Sequence, residues 1–262
     1  MKKILFAFFS LFFSIQQTWA AVAFDARMTG GNGTGGNNQA CDDVTTCTST
    51  TGVTLGGSAT CIVGMLVFAS QGANTIPTGI TMTWNGVAMT AGPSAASQSG
   101  ADYALSVLFY LTNPATGQQV LSASWTNSND SYMSAISFTG TATSACVNAT
   151  NNITATQATS LAITSTTDGA TVANFAVDGS IPTMNQTAIW AEAPLSPGGG
   201  GSYAIGGTSN SHTFTGAGGS RQAIAGVNVV AGAAAAATRR RSPILMGLPF
   251  PWFVHLKTLE IQ

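Results

Sequence analysis

Side chains that perform catalysis are sparse in this chain, because only 6% of its 262 residues are charged and only two are histidines. A serine or cysteine nucleophile needs a nearby base, and histidine is the usual one. His212 lies in SHTFT, which has the pattern of a strand, so a surface or strand-pairing role is the simpler interpretation. His255 lies far away near the end of the chain. We therefore predict no nucleophile–histidine site.

Carboxylates are the next candidates, because a glycosidase needs two of them, one held in a shaped pocket. Asp168 and Asp178 each precede a glycine, a position where Asp favours a turn. Asp42 and Asp43 offer oxygen ligands for calcium, but one acidic pair without further ligand spacing is a weak signal. We predict turn or surface roles for these acids, and no metal site or cofactor.

Two aromatic residues provide the remaining lead. Trp190 and Tyr203 flank a proline- and glycine-rich segment that contains Gly198–Gly201. No Gly-Lys-Ser/Thr follows these glycines, so they indicate a flexible surface loop and not a phosphate-binding loop. The two rings offer flat apolar faces with polar tips, suited to stacking on a sugar. The simpler alternative is that they fold the loop back onto the domain.

The charges are distributed unevenly along the chain. Residues 24–234 contain eight acidic residues, two arginines and no lysine, a net charge of −6. Residues 235–262 carry a net charge of +3. The main domain therefore has no basic patch to neutralise phosphates, which argues against a nucleic-acid partner.

The N-terminus has the pattern of a signal peptide. Lys2 and Lys3 precede an apolar run of about 12 residues, shorter than the roughly 20 of a membrane span. We place cleavage after Ala20, with Ala23 as the alternative, and treat residues 1–20 as the signal peptide. A membrane anchor is the competing interpretation. The pattern is typical of bacteria and predicts an extracellular, cell-surface or periplasmic protein without a transmembrane span after cleavage.

Four cysteines remain after such cleavage, and an even number in an oxidising compartment indicates disulfides. Three connectivities are possible. We favour Cys41–Cys47, which closes the short loop CDDVTTC. Cys61 and Cys146 each lie in or after a strand pattern, so they either form a second bridge or stay buried as thiols.

Short strand patterns separated by turn residues dominate the chain, and no long segment shows a helical period. Asn85-Gly86 predicts a two-residue hairpin turn that pairs Trp84 with Val87 and places both on an apolar face. The predicted strands are 21–26, 60–69, 80–84 with 87–91, 103–111, 119–125, 132–139, 160–166, 170–177, 211–215 and 222–231.

These patterns predict an all-β, antiparallel β-sandwich over residues 21–231, formed as a single domain. We interpret residues 30–59 as a long loop. Residues 232–262 form an alanine-rich linker and an apolar tail that begins with Arg239, Arg240 and Arg241. Three prolines interrupt this tail, which makes a transmembrane helix improbable.

The chain resembles a broad group of exported bacterial and phage-associated, jelly-roll-like β-sandwich domains. The matching segments are VAFDA, CIVGMLVFAS, MTWNGVAMT, LSVLFYLTNPATGQQVLSASW, AISFTG, ITSTTDGATVANFAV and QTAIWAEAPLSPGGGGSYAIGG. The resemblance implies a sandwich fold in a secreted or surface setting and implies no catalytic residues. The cysteine-bearing insert at 41–47 and the arginine-led tail depart from the pattern.

We therefore expect a non-catalytic surface, adhesive or matrix module, with a glycan or a surface component as its partner. A secreted carbohydrate-active enzyme that uses carboxylates is the alternative. Two minor alternatives are a phage tail or receptor-binding component and an ice-binding protein. The ice-binding alternative rests on repeated Thr-x-Thr pairs, although threonine is also common on outward strand positions.

Overall fold

Eighteen β-strands form nearly all of the regular structure among the residues that this computed structural model describes. The first nine are β1 (Ala23–Arg27), β2 (Gln39–Thr48), β3 (Val53–Leu55), β4 (Cys61–Ser70), β5 (Thr81–Trp84), β6 (Val87–Ala88), β7 (Thr90–Ser99), β8 (Asp102–Thr112) and β9 (Gly117–Gln119). The others are β10 (Leu121–Thr139), β11 (Ile153–Thr156), β12 (Ser160–Thr164), β13 (Ala170–Val177), β14 (Thr183–Met184), β15 (Thr187–Glu192), β16 (Gly198–Ile205), β17 (Ser209–Thr215) and β18 (Gln222–Val229). One short 3₁₀ helix spans Thr34–Gly36.

The structure describes residues 20–49, 53–70, 75–148, 153–180, 182–192, 198–215 and 221–233. Residues 1–19 of the predicted signal peptide and residues 234–262 of the predicted linker and tail lie outside these ranges. Within the described ranges, no helix has the length and apolar character needed to cross a membrane.

The strands form two large antiparallel sheets and two small ones. An eight-stranded sheet has the order β6-β5-β10-β4-β8-β7, with β1 and β2 also paired to β10. A five-stranded sheet has the order β11-β18-β13-β16-β15. A three-stranded sheet, β12-β17-β14, and the β3–β9 pair complete the fold. The all-β, sandwich-like class predicted from the strand patterns is therefore confirmed.

The five-stranded sheet is a middle layer, which explains why β13 is buried along its whole length. On one face, Val172 and Ala176 join the core shared with the eight-stranded sheet. On the other face, Phe175 stacks on Phe214 of the three-stranded sheet, with ring centroids 4.8 Å apart. A strand buried on both faces needs a nearly continuous apolar sequence, and ATVANFAV supplies one.

One buried amide connects the two large sheets. The Asn174 side chain donates to the carbonyl of Leu66 and to Ser106 Oγ, each at 3.0 Å. Ser106 Oγ in turn donates to the carbonyl of Asn174 at 2.8 Å. The buried amide nitrogen is thus hydrogen-bonded and links the two sheets, whereas Asn174 Oδ1 has no partner among the described residues.

The predicted hairpin turn is confirmed, but the prediction that Val87 belongs to a buried apolar face was wrong. Asn85 and Gly86 have φ angles of 50° and 76°, and Trp84 pairs with Val87. Trp84 is buried as expected, but Val87 is 53% exposed. The reason is that β6 is a two-residue edge strand, after which the chain leaves to pair β7 with β8. Both residues of β6 are accordingly exposed.

Both disulfides are present, so the favoured pair Cys41–Cys47 is confirmed and the second bridge is Cys61–Cys146. The first lies within β2, in the region interpreted as a long loop. That interpretation was wrong, because residues 39–48 form a ten-residue strand paired with β10. The segments 119–125 and 132–139, predicted as two strands, belong largely to one strand of 19 residues, β10. Its successive parts pair with β5, β2 and β4, which keeps the whole length extended.

Candidate binding surface at the sheet margin

The run Gly198–Gly201 forms the first half of β16, a central strand of the five-stranded sheet. All four glycines are buried between the neighbouring strands β13 and β15. The prediction of a flexible surface loop was therefore wrong. Glycine is poor in strand interiors, and it usually marks a place where another group approaches the backbone closely.

The group that approaches this backbone is the indole of Trp190. A Cβ atom on Gly201 would lie 2.6 Å from Trp190 Nε1 and 2.7 Å from Met65 Sδ. One on Gly199 would lie 2.9 Å from Trp190 Cη2. Real Cβ atoms do not come so close to other heavy atoms. The glycines therefore leave the space that the tryptophan ring and the facing sheet occupy.

Trp190 is consequently a core residue, with 2% of its surface exposed. Its ring lies 6.1 Å from that of Tyr132, between the two large sheets. Within the described part of the chain, its indole N–H has no hydrogen-bond partner. In this arrangement Trp190 presents no ring face to a ligand from solvent.

Tyr203, the other predicted residue, lies two positions beyond Gly201 and only partly inside the core. Its ring stacks on Phe24 of β1, with centroids 5.4 Å apart and planes 18° apart. Phe138 supports it from the edge at 6.2 Å. Phe24 itself is 41% exposed. A stacked aromatic pair therefore opens to solvent where an edge of one large sheet meets the other sheet.

Arg27 lies at the same margin. Its Nη1 donates to the carbonyl of Ala188 at 3.2 Å, across from β1 to the edge strand β15. Ala188 pairs with Ser202, the residue next to Tyr203. We call Phe24, Tyr203 and Arg27 the aromatic margin.

A β-bulge at Asp25 explains how the aromatic margin forms. Phe24 pairs with Phe138 and Arg27 with Ile136, two positions that face the core between the large sheets. In a regular strand, residues three apart point to opposite faces. The extra residue in β1 turns Arg27 onto the side of Phe24, as bulges commonly do.

The single histidine of the domain is buried and does not face solvent. His212 Nε2 lies 2.9 Å from Thr171 Oγ1, and Nδ1 lies 2.8 Å from Ser202 Oγ. Burial lowers the pKa of His212 to about 4. All three side chains are inaccessible to a substrate. The surface role considered for His212 was wrong, and the residue instead connects the three-stranded sheet to the middle layer.

Asp42 and Asp43, in the short disulfide loop, lie close to a third acid, Asp130. The backbone N–H of Asp43 donates to Asp130 Oδ1 at 2.9 Å. Burial raises the pKa of Asp130 to about 6, and a hydrogen bond that protonated Asp130 donates to the Asp42 carboxylate adds to the effect. Among the residues that the structure describes, no three His, Cys, Asp or Glu side chains are placed to hold a metal ion.

A separate cleft of about 250 Å³ lies between residues 76–80 and strands β7 and β8. Its floor is apolar, formed by Leu105, Val107 and Phe109, and no lining residue is charged. Ligand pockets usually exceed about 300 Å³ and place several polar groups around the ligand. The cleft is therefore a weaker candidate than the aromatic margin.

Sequence reasoning identified Tyr203 but missed its two partners. Phe24 and Arg27 belong to the segment VAFDAR, predicted only as a first strand. Strict alternation would have separated them onto opposite faces, and no residue of the segment signals the bulge. Only pairing with β10 reveals it.

Comparison of the chain with protein-family models, with curated proteins and with solved structures found no match.

Proposed function

We propose that this protein is an exported, non-catalytic β-sandwich module of a bacterial surface or matrix, and that it binds saccharides at the aromatic margin. The exposed stack of Phe24 on Tyr203 carries this proposal. An aromatic ring held rigidly at the surface offers a flat apolar face with little conformational entropy to lose. The apolar C–H face of a sugar ring matches it.

The two disulfides support the exported setting, because disulfides persist in oxidising compartments. The proposal includes membership of the exported, jelly-roll-like domains that the sequence resembles. It also includes an adhesive or matrix role, in which a rigid scaffold displays a binding surface at one margin.

The positions of three carboxylates support a binding role over a catalytic one. Asp178 and Glu192 lie within the fold, each 1% exposed. Asp25 accepts hydrogen bonds from the Gly56 N–H at 3.0 Å and from Ser137 Oγ at 2.7 Å. A glycosidase needs one acid and one base that both reach the sugar. Asp178 and Glu192 are too buried to reach a sugar, and the partly buried Asp25 carboxylate is already engaged by two hydrogen bonds.

A glycan array probed with the full chain tests the proposal. We expect binding to at least one saccharide class, weakened about 10-fold or more by Phe24→Ala, since stacked rings contribute roughly 1–2 kcal/mol. Val87→Ala is the matched control, because it removes an equally exposed apolar side chain from another edge of the same sheet.

Two results would contradict the proposal. One is a lack of binding to any saccharide, or binding that Phe24→Ala and Val87→Ala affect equally. The other is turnover of a bound saccharide that is lost when a carboxylate is replaced by its amide. That second result would favour the carbohydrate-active enzyme.

A further inference from the structure

We infer that the saccharide bound at the aromatic margin is acidic, with a ring carboxylate of the uronate type that Arg27 binds. This inference rests on the proposed function and names the ligand class. Three observations support it: the position of Arg27, the side of β1 on which Arg27 lies, and the N–H donors of its guanidinium that the described residues leave unused.

Arg27 is the one exposed arginine or lysine among the described residues. The only other cation there is Arg221, which is partly buried, and the chain has no lysine between residues 24 and 234. The backbone N–H of Arg221 is bonded to Asp178. In a domain with eight acids, the single exposed arginine thus lies on the same side of β1 as Phe24, the exposed member of the stacked pair.

The Arg27 guanidinium retains most of its capacity to bind. It has five N–H donors, and one of them bonds the carbonyl of Ala188. Within the described part of the chain it forms no ion pair with a carboxylate. A guanidinium matches a carboxylate with two parallel hydrogen bonds, which is the strongest pairing available to such a surface.

The acid nearest to Arg27 in sequence is directed away from it. Asp25 occupies the bulge and accepts bonds from the Gly56 N–H and from Ser137 Oγ. Ser137 Oγ also accepts a bond from the Ala26 N–H at 3.2 Å. These contacts fix the bulge that brings Arg27 beside Phe24, and they keep the Asp25 carboxylate engaged elsewhere.

The net charge of the domain determines which experiment can detect a contribution of Arg27 to binding. A net charge of −6 over residues 24–234 repels anions at long range, although physiological salt screens this beyond about 8 Å. Salt would weaken both the repulsion and the local attraction to Arg27. Removing the charge from the ligand is therefore a cleaner test than adding salt.

Hexasaccharides of galacturonate and of mannuronate, each also prepared as its methyl ester, are the probes. The ester keeps the ring and the chain length and removes the charge. By titration calorimetry with the full chain, we expect at least one acid to bind about 10- to 100-fold tighter than its ester. Arg27→Gln should remove that difference, and Arg27→Lys should restore part of it. Phe24→Ala should weaken both acid and ester, and Val87→Ala neither.

The possible failures are distinguishable. Equal affinity for acid and ester, with both lost in Phe24→Ala, would overturn the acidic ligand and leave saccharide binding intact. Binding of neutral saccharides alone would have the same meaning. No binding by any acidic, esterified or neutral probe would overturn the inference together with the proposed function. Arg27 is exposed, so the melting temperature of Arg27→Gln should match that of the unchanged protein.

Discussion

Trp190 packs against β16, Tyr203 belongs to β16, and the two residues have opposite roles. Trp190 pairs with Gly201 and lies flat over glycines, inside the core. Tyr203 follows two residues later, where the strand reaches the margin between the sheets, and stacks on the half-exposed Phe24. Their types and their nearness to the glycine run made them equivalent in the sequence. What separates them is whether the facing sheet still covers the strand at that point.

The difference shows that a glycine run next to a large aromatic residue has two structural meanings. Such a run forms a loop when no other layer packs on it. It forms a strand that accommodates an aromatic ring when a second sheet packs above it. Here Met65 and Val67 of the facing sheet complete the enclosure around Gly199 and Gly201. The next predictions test this contrast between the interior and the margin.

Trp190→Ala should give the largest loss of stability. Truncating a buried aromatic residue removes its burial free energy and leaves a cavity, which costs about 3–5 kcal/mol. For a domain of this size the melting temperature should fall by about 6–20 °C. Thermal unfolding followed by circular dichroism measures it. Phe24→Ala is the control, and an equal shift in both variants would contradict the division into interior and margin.

Acid should destabilise the interior through His212, the partner of Ser202 on the other face of the same strand. Its pKa is about 4 in the folded protein and about 6.5 when unfolded. The unfolded chain therefore binds the extra proton first, so stability is complete above pH 6.5 and falls as the pH drops toward 4. The expected loss between pH 7.5 and pH 5 is about 2 kcal/mol.

The control for this effect is His212→Gln, which removes the titrating ring. Asp130 acts in the opposite direction, because its raised pKa favours the folded state as the pH falls. Denaturant titrations of both proteins at several pH values isolate the histidine as the difference between them. The same pH dependence in both would refute a role for His212.

Tyr203→Ala should give the smallest loss of stability and a clear loss of binding. The side chain is only partly buried, and its stack with Phe24 is worth about 1 kcal/mol. We expect a fall in melting temperature of about 2–4 °C. A decrease as large as that of Trp190→Ala would place Tyr203 in the core and remove the contrast.

Local chemistry was sufficient for several features of this fold. Asn85 and Gly86 adopt positive φ because the two-residue turn requires it, and the sequence pattern signals that requirement. Cys41 and Cys47 are close along the chain, so their pairing needed no knowledge of the fold. β13 coincides with its predicted range, 170–177, because both of its faces are buried and six of its eight residues are apolar.

Other features depend on distant partners and could not be predicted. The edge strand β2 contains Asp42, Asp43 and three threonines, a composition that also suits a loop, and its identity as a strand comes from pairing with β10. Arg27 joins Phe24 through a bulge defined only against β10. The link from His212 to Thr171 and Ser202 connects residues 41 and 10 positions apart.

Local sequence patterns were enough to predict the all-β class, the hairpin turn, the short disulfide and one member of the aromatic margin. These follow from backbone preferences, alternation and proximity along the chain, which are local properties. Only contacts between distant segments place four glycines in a buried half-strand, Trp190 inside and Tyr203 at the margin, and Arg27 on the same side of β1 as Phe24. Each of these depends on which layer covers a strand and in what register, and both are set by contacts between distant segments.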